Sequence, residues 1–269
     1  MMKKEVFEFN GFTATILIPD NPNGKWSWKT EFFTAFDDAE RALFDMGYTR
    51  VYYQISDKYG SYKAVRLMHL FHLHILEKYN LEKRANLFGF SRGGLYAFNY
   101  ALFYPEYVNK VYLDAPVLDM KTWPPKGSIE QTQVYKEYSL NEQTLQTFDG
   151  NPIDNLEEFF ALNIPLMVVA GVVDSVVPYS ENSGKLLEYC KEYRYDMAWA
   201  LRAGLVPTKD ATPNTTPILR RTINSPNPAH NIRKTSALSR YSGSTHARDI
   251  SAMLPRYFFI LDILYSFSV

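Results

Sequence analysis

Apolar residues recur along the first two-thirds of the chain with two alternating periods. FTATILIP (12–19) reads as a strand, followed by loop chemistry in DNPNGKWSW. EFFTAFDDAERALFDMG (31–47) has a helical period and ends in glycine. The series continues with a strand at TRVYYQIS (49–56) and an amphipathic helix at SYKAVRLMHLFHLHILEKYN (61–80). A strand at RANLFGF (84–90) leads into a helix at 92–105 that proline stops, and KVYLDAP (110–116) is a further strand. IPLMVVAG (164–171) is a short, nearly unbroken apolar run, as expected of a parallel strand covered on both faces. SENSGKLLEYCKEY (180–193) closes the series as a helix. Strands alternating with helices of this length predict an α/β fold with a doubly wound, mostly parallel sheet.

The pattern breaks twice. Between Val117 and Leu162 it gives way to turns containing tryptophan and proline and to polar helical pieces (SIEQTQVYKEY, NEQTLQTF). An insertion there, about 118–162, would lie over the carboxyl ends of the strands as a small helical lid. After residue 195 both periods vanish. Residues 196–269 contain no glutamate against fifteen in 1–195, and arginine leads lysine 7 to 2 where the body has 6 to 14. The expected division is therefore a core at 1–195 and an atypical, poorly ordered tail at 196–269.

Composition narrows the function. The net charge is zero, so nothing predicts a grip on nucleic acid or an anionic membrane. The single cysteine, Cys190, excludes an internal disulfide framework and a cysteine-based zinc site. The N-terminal MMKKEVFEFNGF lacks the apolar core of a signal peptide, and FFILDILYSFSV near the end is too short to span a bilayer and is interrupted by Asp262. A soluble cytoplasmic protein is expected.

GFSRGG (89–94) carries the chemistry. G-x-S-x-G alone is a weak motif, but here it ends a predicted strand and opens a predicted helix, as a nucleophile elbow requires. A Cβ two residues before or after Ser91 would collide with neighbouring backbone, hence Gly89 and Gly93, while Gly94 eases helix–sheet packing. The Arg92 backbone N–H would stabilise an oxyanion. The loop NGKWSWK (23–29) is the expected source of the second donor, with Trp26 the named candidate and Trp26 and Trp28 also available as pocket walls. An acid should follow a later strand, and Asp174 in GVVDSVVP (171–178) fits; Asp114 is the rival.

In order along the chain, ILIP, GKWSWKTEFF, YGSYKAV, GFSRGGLYAFNYAL, YLDAPVLD, NPIDNL and GVVDSVVPYSEN resemble the α/β-hydrolase superfamily. More narrowly, they resemble a group of bacterial hydrolases often encoded beside polysaccharide-degrading genes. The resemblance covers about residues 9–195. It implies an α/β-hydrolase fold, Ser91 as nucleophile and Asp174 as acid, and it departs where relatives carry arginine in place of Lys29. The expected activity is hydrolysis of small-molecule carboxylic esters through an acyl-enzyme, with carbohydrate-linked esters suggested by the resemblance, and without metal or organic cofactor. The alternatives are a peptidase of the prolyl-oligopeptidase type and a hydrolase-fold protein whose triad is incomplete.

The triad lacks an obvious histidine. His69, His72 and His74 precede the serine, on the predicted helix 61–80, and the i,i+3 pair His69 and His72 is weak evidence for metal. His230 and His246 have the right chain order, but neither follows a recognisable strand. Relatives carry a Gly-His-His-Pro-His-like stretch after their last strand. Asn214–Leu219, Asn-Thr-Thr-Pro-Ile-Leu, is encoded by AAY ACN ACN CCN ATH CTN; read one nucleotide earlier, with permitted third bases, it becomes His-His-Pro-His-Ser. A shifted reading frame would also account for the lost glutamates and the arginine excess. Resequencing around codons 190–215 tests it, and an intact frame there ends the idea. With a tail unable to supply the last strand and helix, the strand 164–171 would be left with an open edge.

Overall fold

Leu87 and Phe88 are adjacent in one strand yet feed opposite hydrophobic clusters, and so do Tyr112 and Leu113, and Met167 and Val168. Alternate side chains of a strand point to opposite faces, so such runs are apolar throughout only when both faces are covered. The computed structural model describes residues 2–195, with the backbone of two further segments, 198–202 and 218–222. Its strands are β1 (Lys3–Phe9), β2 (Phe12–Ile18), β3 (Trp26–Lys29), β4 (Thr49–Tyr53), β5 (Ala85–Phe90), β6 (Val108–Asp114), β7 (Leu166–Gly171), β8 (Ala198–Arg202) and β9 (Ile218–Thr222). They form one sheet in the order β1-β2-β4-β3-β5-β6-β7-β8-β9. β4 to β8 along that order run parallel, while β1, β2 and β9 pair antiparallel.

On one face lie α2 (Tyr62–Lys78), α3 (Gly93–Phe103), α6 (Leu156–Ala161) and α7 (Ser183–Tyr193), packed through Phe71, Ala97, Phe98, Phe159 and Leu186. α1 (Asp38–Asp45) covers the other, setting Ala39 and Leu43 against Phe88, Tyr112 and Val169. The start of α2 is fixed locally: the Ser61 hydroxyl accepts the Ala64 N–H at 3.2 Å. The insertion between β6 and β7 carries α4 (Ile129–Tyr138) and α5 (Glu142–Gln146). It seats Trp123, Val134 and Leu145 on Tyr59, Leu95 and Val117, a third and separate core. None of the helices among the described residues is long and apolar enough to cross a membrane.

Several expectations are corrected. The segment WSWK was assigned to a loop, but it is the fully buried strand β3, paired on both sides by β4 and β5. Its four residues are too few to show a period after Asn-Gly turn chemistry. The helix expected from residue 31 begins only at Asp38; Phe32 and Phe36 hold left-handed φ values of 55° and 51°, which no helix accommodates. The edge of β7 is not open either, since β8 pairs with it from Met167↔Ala198 to Gly171↔Arg202. The sheet thus extends past residue 195, where the core was expected to end. Residues 203–217 and 223–269, with His230, His246 and most of the codon stretch 214–219, lie outside the described residues.

Candidate active site

In the chain, β3 is followed by β4 on one side of it, and the next strand, β5, lies on the other. The order reverses there, and crevices beyond the carboxyl ends of strands at such a switch are where open α/β sheets bind ligands. Two segments leave that edge: residues 30–37 after β3, and the Ser91 turn after β5.

Ser91 has φ 51°, a left-handed backbone that costs a non-glycine residue on the order of 1–3 kcal/mol. The turn is clasped from below. Ser91 N–H donates to the Asp114 carbonyl at 2.9 Å, and its own carbonyl accepts N–H groups from Gly94 and Val117. The glycines do as expected. A Cβ on Gly89 would lie 2.8 Å from the Gly93 carbonyl oxygen, one on Gly93 2.9 Å from Thr30 Oγ1, and one on Gly94 2.6 Å from Pro116 Cβ. The backbone N–H of Arg92 finds no acceptor among the described residues, and it sits at the start of α3. A backbone N–H without an acceptor at the start of a helix is the kind of group that can receive an anion.

Asp174 leaves the same carboxyl edge, three residues beyond the end of β7. Phe90, Asp114 and Val169 stand abreast on β5, β6 and β7, so β5 and β7 are two strand spacings apart, about 10 Å. Asp174 Oδ1 accepts the Val176 and Val177 N–H groups, both at 2.9 Å, which fixes the carboxylate; Oδ2 takes no hydrogen bond among the described residues. Asp114, the rival, is buried, with the Tyr112 hydroxyl 3.4 Å from its Oδ2.

Trp26 is not an oxyanion donor. It stands at the amino end of β3, wholly buried, with Nε1 donating to the Glu82 carbonyl at 2.8 Å and its ring against Trp28 and His72. Trp28 is equally buried, its ring packed among Trp26, Phe71 and Tyr100. Residues 23–29 run up to and through the strand, so they reach the edge only at its last residue. The segment that crosses to the nucleophile is Thr30–Glu31–Phe32, which sequence reasoning passed over. Thr30 Oγ1 lies 2.8 Å from the Gly93 carbonyl and 3.1 Å from that of Phe88, and Glu31 Oε2 accepts Arg92 Nε–H at 2.8 Å. Glu31 is 1% exposed, and burial raises its pKa against the pull of Arg92. The T-E-F-F directly after WSWK was the available signal. Lys29 pairs with Glu40 at 2.7 Å, both buried.

The histidines of α2 belong to the packing. His72 Nε2 faces the Lys83 carbonyl at 2.8 Å and so must donate, leaving Nδ1 to accept the Tyr100 hydroxyl at 2.8 Å. Burial lowers its pKa to about 4, keeping it neutral. His69 stacks on Tyr104 and His74 on Phe9.

The model for the alpha/beta hydrolase fold matches residues 12–152. No curated protein matches the sequence. Among solved structures, S-formylglutathione hydrolase FrmB from Staphylococcus aureus superposes with a TM-score of 0.58 at 11% identity, over 76% of this chain and 91% of that one. The carboxylesterase Cest-2923 from Lactobacillus plantarum WCFS1 gives 0.53 at 18% identity, over 76% and 83%. A puromycin-hydrolyzing peptidase from Mycobacterium tuberculosis gives 0.57 at 11%, over 75% of this chain but 35% of that one. At such identities these likenesses speak for the fold, and with the family match over more than half of the sequence and the strained serine turn between β5 and α3, the chain belongs to the α/β-hydrolase fold family.

Proposed function

We propose that this chain is a serine hydrolase that cleaves carboxylic esters of small molecules through an acyl-enzyme on Ser91. The observation that carries the reading is the left-handed Ser91 turn, clasped under its backbone by Asp114 and Val117. Ser91 Oγ attacks the ester carbonyl, and its proton passes to an imidazole held by Asp174 Oδ2. The Arg92 N–H and one from the Glu31–Phe32 segment receive the developing oxyanion. The imidazolium then protonates the departing alcohol, and water repeats the sequence on the acyl-enzyme. The histidine belongs to the part of the chain outside the described residues, where His230 and His246 have the required order. The α4–α5 insertion acts as a lid over this edge.

Phe36, 40% exposed and packed on Phe90, and the exposed Val172, Val173 and Val176 around Asp174 surround the site with apolar surface. That favours an ester with an apolar acyl part; a carbohydrate on the alcohol side rests on the resemblance in sequence. The likeness to the longer peptidase supports a second reading, cleavage of an aminoacyl bond by the same serine.

p-Nitrophenyl acetate and butyrate turnover, set against Ser91→Ala, tests the proposal, with labelling by a fluorophosphonate probe alongside. Turnover and labelling that vanish in Ser91→Ala are expected. Equal rates and no labelling overturn it in favour of a catalytically inert hydrolase fold. Faster cleavage of aminoacyl p-nitroanilides than of the esters moves the assignment to the peptidase.

A further inference from the structure

The two oxyanion donors of the proposed mechanism lie on segments some sixty residues apart in sequence, and something must hold them in register. The Glu31 carboxylate is 1% exposed, and the Arg92 side chain that reaches it is 21% exposed. Their contact, Nε–H to Oε2 at 2.8 Å, spans from the residue after the nucleophile to the loop after β3. The guanidinium also lies over the ring of Phe32 at 5.0 Å and that of Tyr59 at 5.6 Å. Phe32 is itself in a left-handed backbone conformation, so the peptide units beside it are held where they would not rest unaided. A buried ion pair is a poor device for stability, because apolar replacements of similar volume often match or exceed it. A charged pair retained here points to geometry.

We propose that the Glu31–Arg92 pair is a strut that fixes the two halves of the oxyanion hole, making both side chains positioning residues for the ester hydrolysis. The proposal rests on the serine-hydrolase reading above. Substituting Arg92 by any residue except proline keeps its backbone N–H, so a lost rate reports the side chain and not the donor.

The test uses Arg92→Met, Glu31→Met and the double variant in the full chain. Misplacing one oxyanion donor lowers kcat by about 10- to 100-fold, with KM for p-nitrophenyl butyrate within about twofold of the parent. The double variant is expected to melt no lower than the parent while staying slow, and Arg92→Lys, which keeps the charge facing Glu31, to recover part of the rate. Folded variants with unchanged kcat overturn the strut. Hydrogen exchange supplies a readout independent of turnover: amides of residues 30–33 should exchange at least about tenfold faster in Arg92→Met, with α2 unchanged. If the parent turns over no faster than Ser91→Ala, the esterase reading fails, and exchange alone decides the strut: unchanged protection at 30–33 overturns it.

Discussion

Asn182 Oδ1 accepts the backbone N–H groups of both Leu118, at 2.7 Å, and Asp119, at 3.0 Å. One buried side chain thereby ties the root of the insertion to the segment that carries Asp174. Its Nδ2 donates to the Pro178 carbonyl and to Thr122 Oγ1, so all of its capacity is spent on this junction. Asn182→Ala strands two buried donors, each costing about 1–3 kcal/mol. Urea unfolding should show a loss of about 2–6 kcal/mol with little change in m-value. A loss below about 1 kcal/mol would mean water takes over the role.

Asp174→Asn preserves the oxygen that accepts from Val176 and Val177, so the loop keeps its shape. It removes the charge that steadies an imidazolium. In a Ser-His-Asp arrangement the expected fall in kcat is about 10⁴-fold, with the melting temperature nearly unchanged. Steady-state ester kinetics with a parallel thermal melt decide it; a drop of less than tenfold would point to another acid.

Ser91→Gly should be more stable than the parent by about 0.5–1 kcal/mol, because glycine adopts φ 51° without strain and pays back only part of this in chain entropy. Ser91→Ala should show no such gain. Thermal unfolding of the two variants side by side is the measurement, and a destabilised glycine variant would show that the turn is not strained.

Gly94→Ala places a methyl 2.6 Å from Pro116 Cβ and 3.1 Å from its Cα, where neither side can give freely. Overpacking of this kind costs about 1–3 kcal/mol and should lift the elbow away from residues 115–117, lowering kcat as well. Guanidinium unfolding with ester kinetics on the same preparation reads both effects; an alanine variant matching the parent in each would show that Pro116 yields.

Acid should weaken the fold in two successive windows. His72 has a folded pKa of about 4 against an ordinary 6.5, so the unfolded chain binds the proton more readily. Its contribution is complete above 6.5 and disappears as the pH falls to about 4, a change of about 3 kcal/mol. Glu5 is lowered to about 2 from 4.5, foremost by Lys3 and then by the Tyr79 hydroxyl, so its contribution is lost only between those values. Urea midpoints at pH 7.5, 5.5 and 4 should fall steadily in the parent and flatten in His72→Gln. A parental curve already flat over that range would show that His72 charges freely in the folded state.

Legibility followed the length and continuity of the apolar signal. β7 and β5 were readable because five consecutive buried residues between two cores leave no other reading, and Ser91 was readable because its turn must satisfy local sterics through residues at fixed offsets. β3 was not, since four residues after a turn, the last of them a lysine, carry no period; its burial comes from partners at 49–52 and 86–88. The apparent helix at 31–37 failed for a related reason. Its apolar spacing was real, but Thr30 and Glu31 are pinned to Gly93 and Arg92, and Phe32 and Phe36 are forced into left-handed turns. Trp26 was the candidate oxyanion donor because residues 23–29 read as a loop leaving the sheet edge, whereas pairing with Thr49 sets it inside the strand, at the opposite end.

By itself, the sequence determined the alternation of strands and helices, the elbow glycines and the place of Asp174 after a buried strand, because each depends on periodicity or on close neighbours along the chain. Only the tertiary structure decided that a glutamate follows β3 into a buried pair with Arg92, that His72 is a neutral core residue, and that β8 closes the edge of β7. Those outcomes depend on pairings between distant segments, where burial and electrostatics are set by what another part of the chain brings.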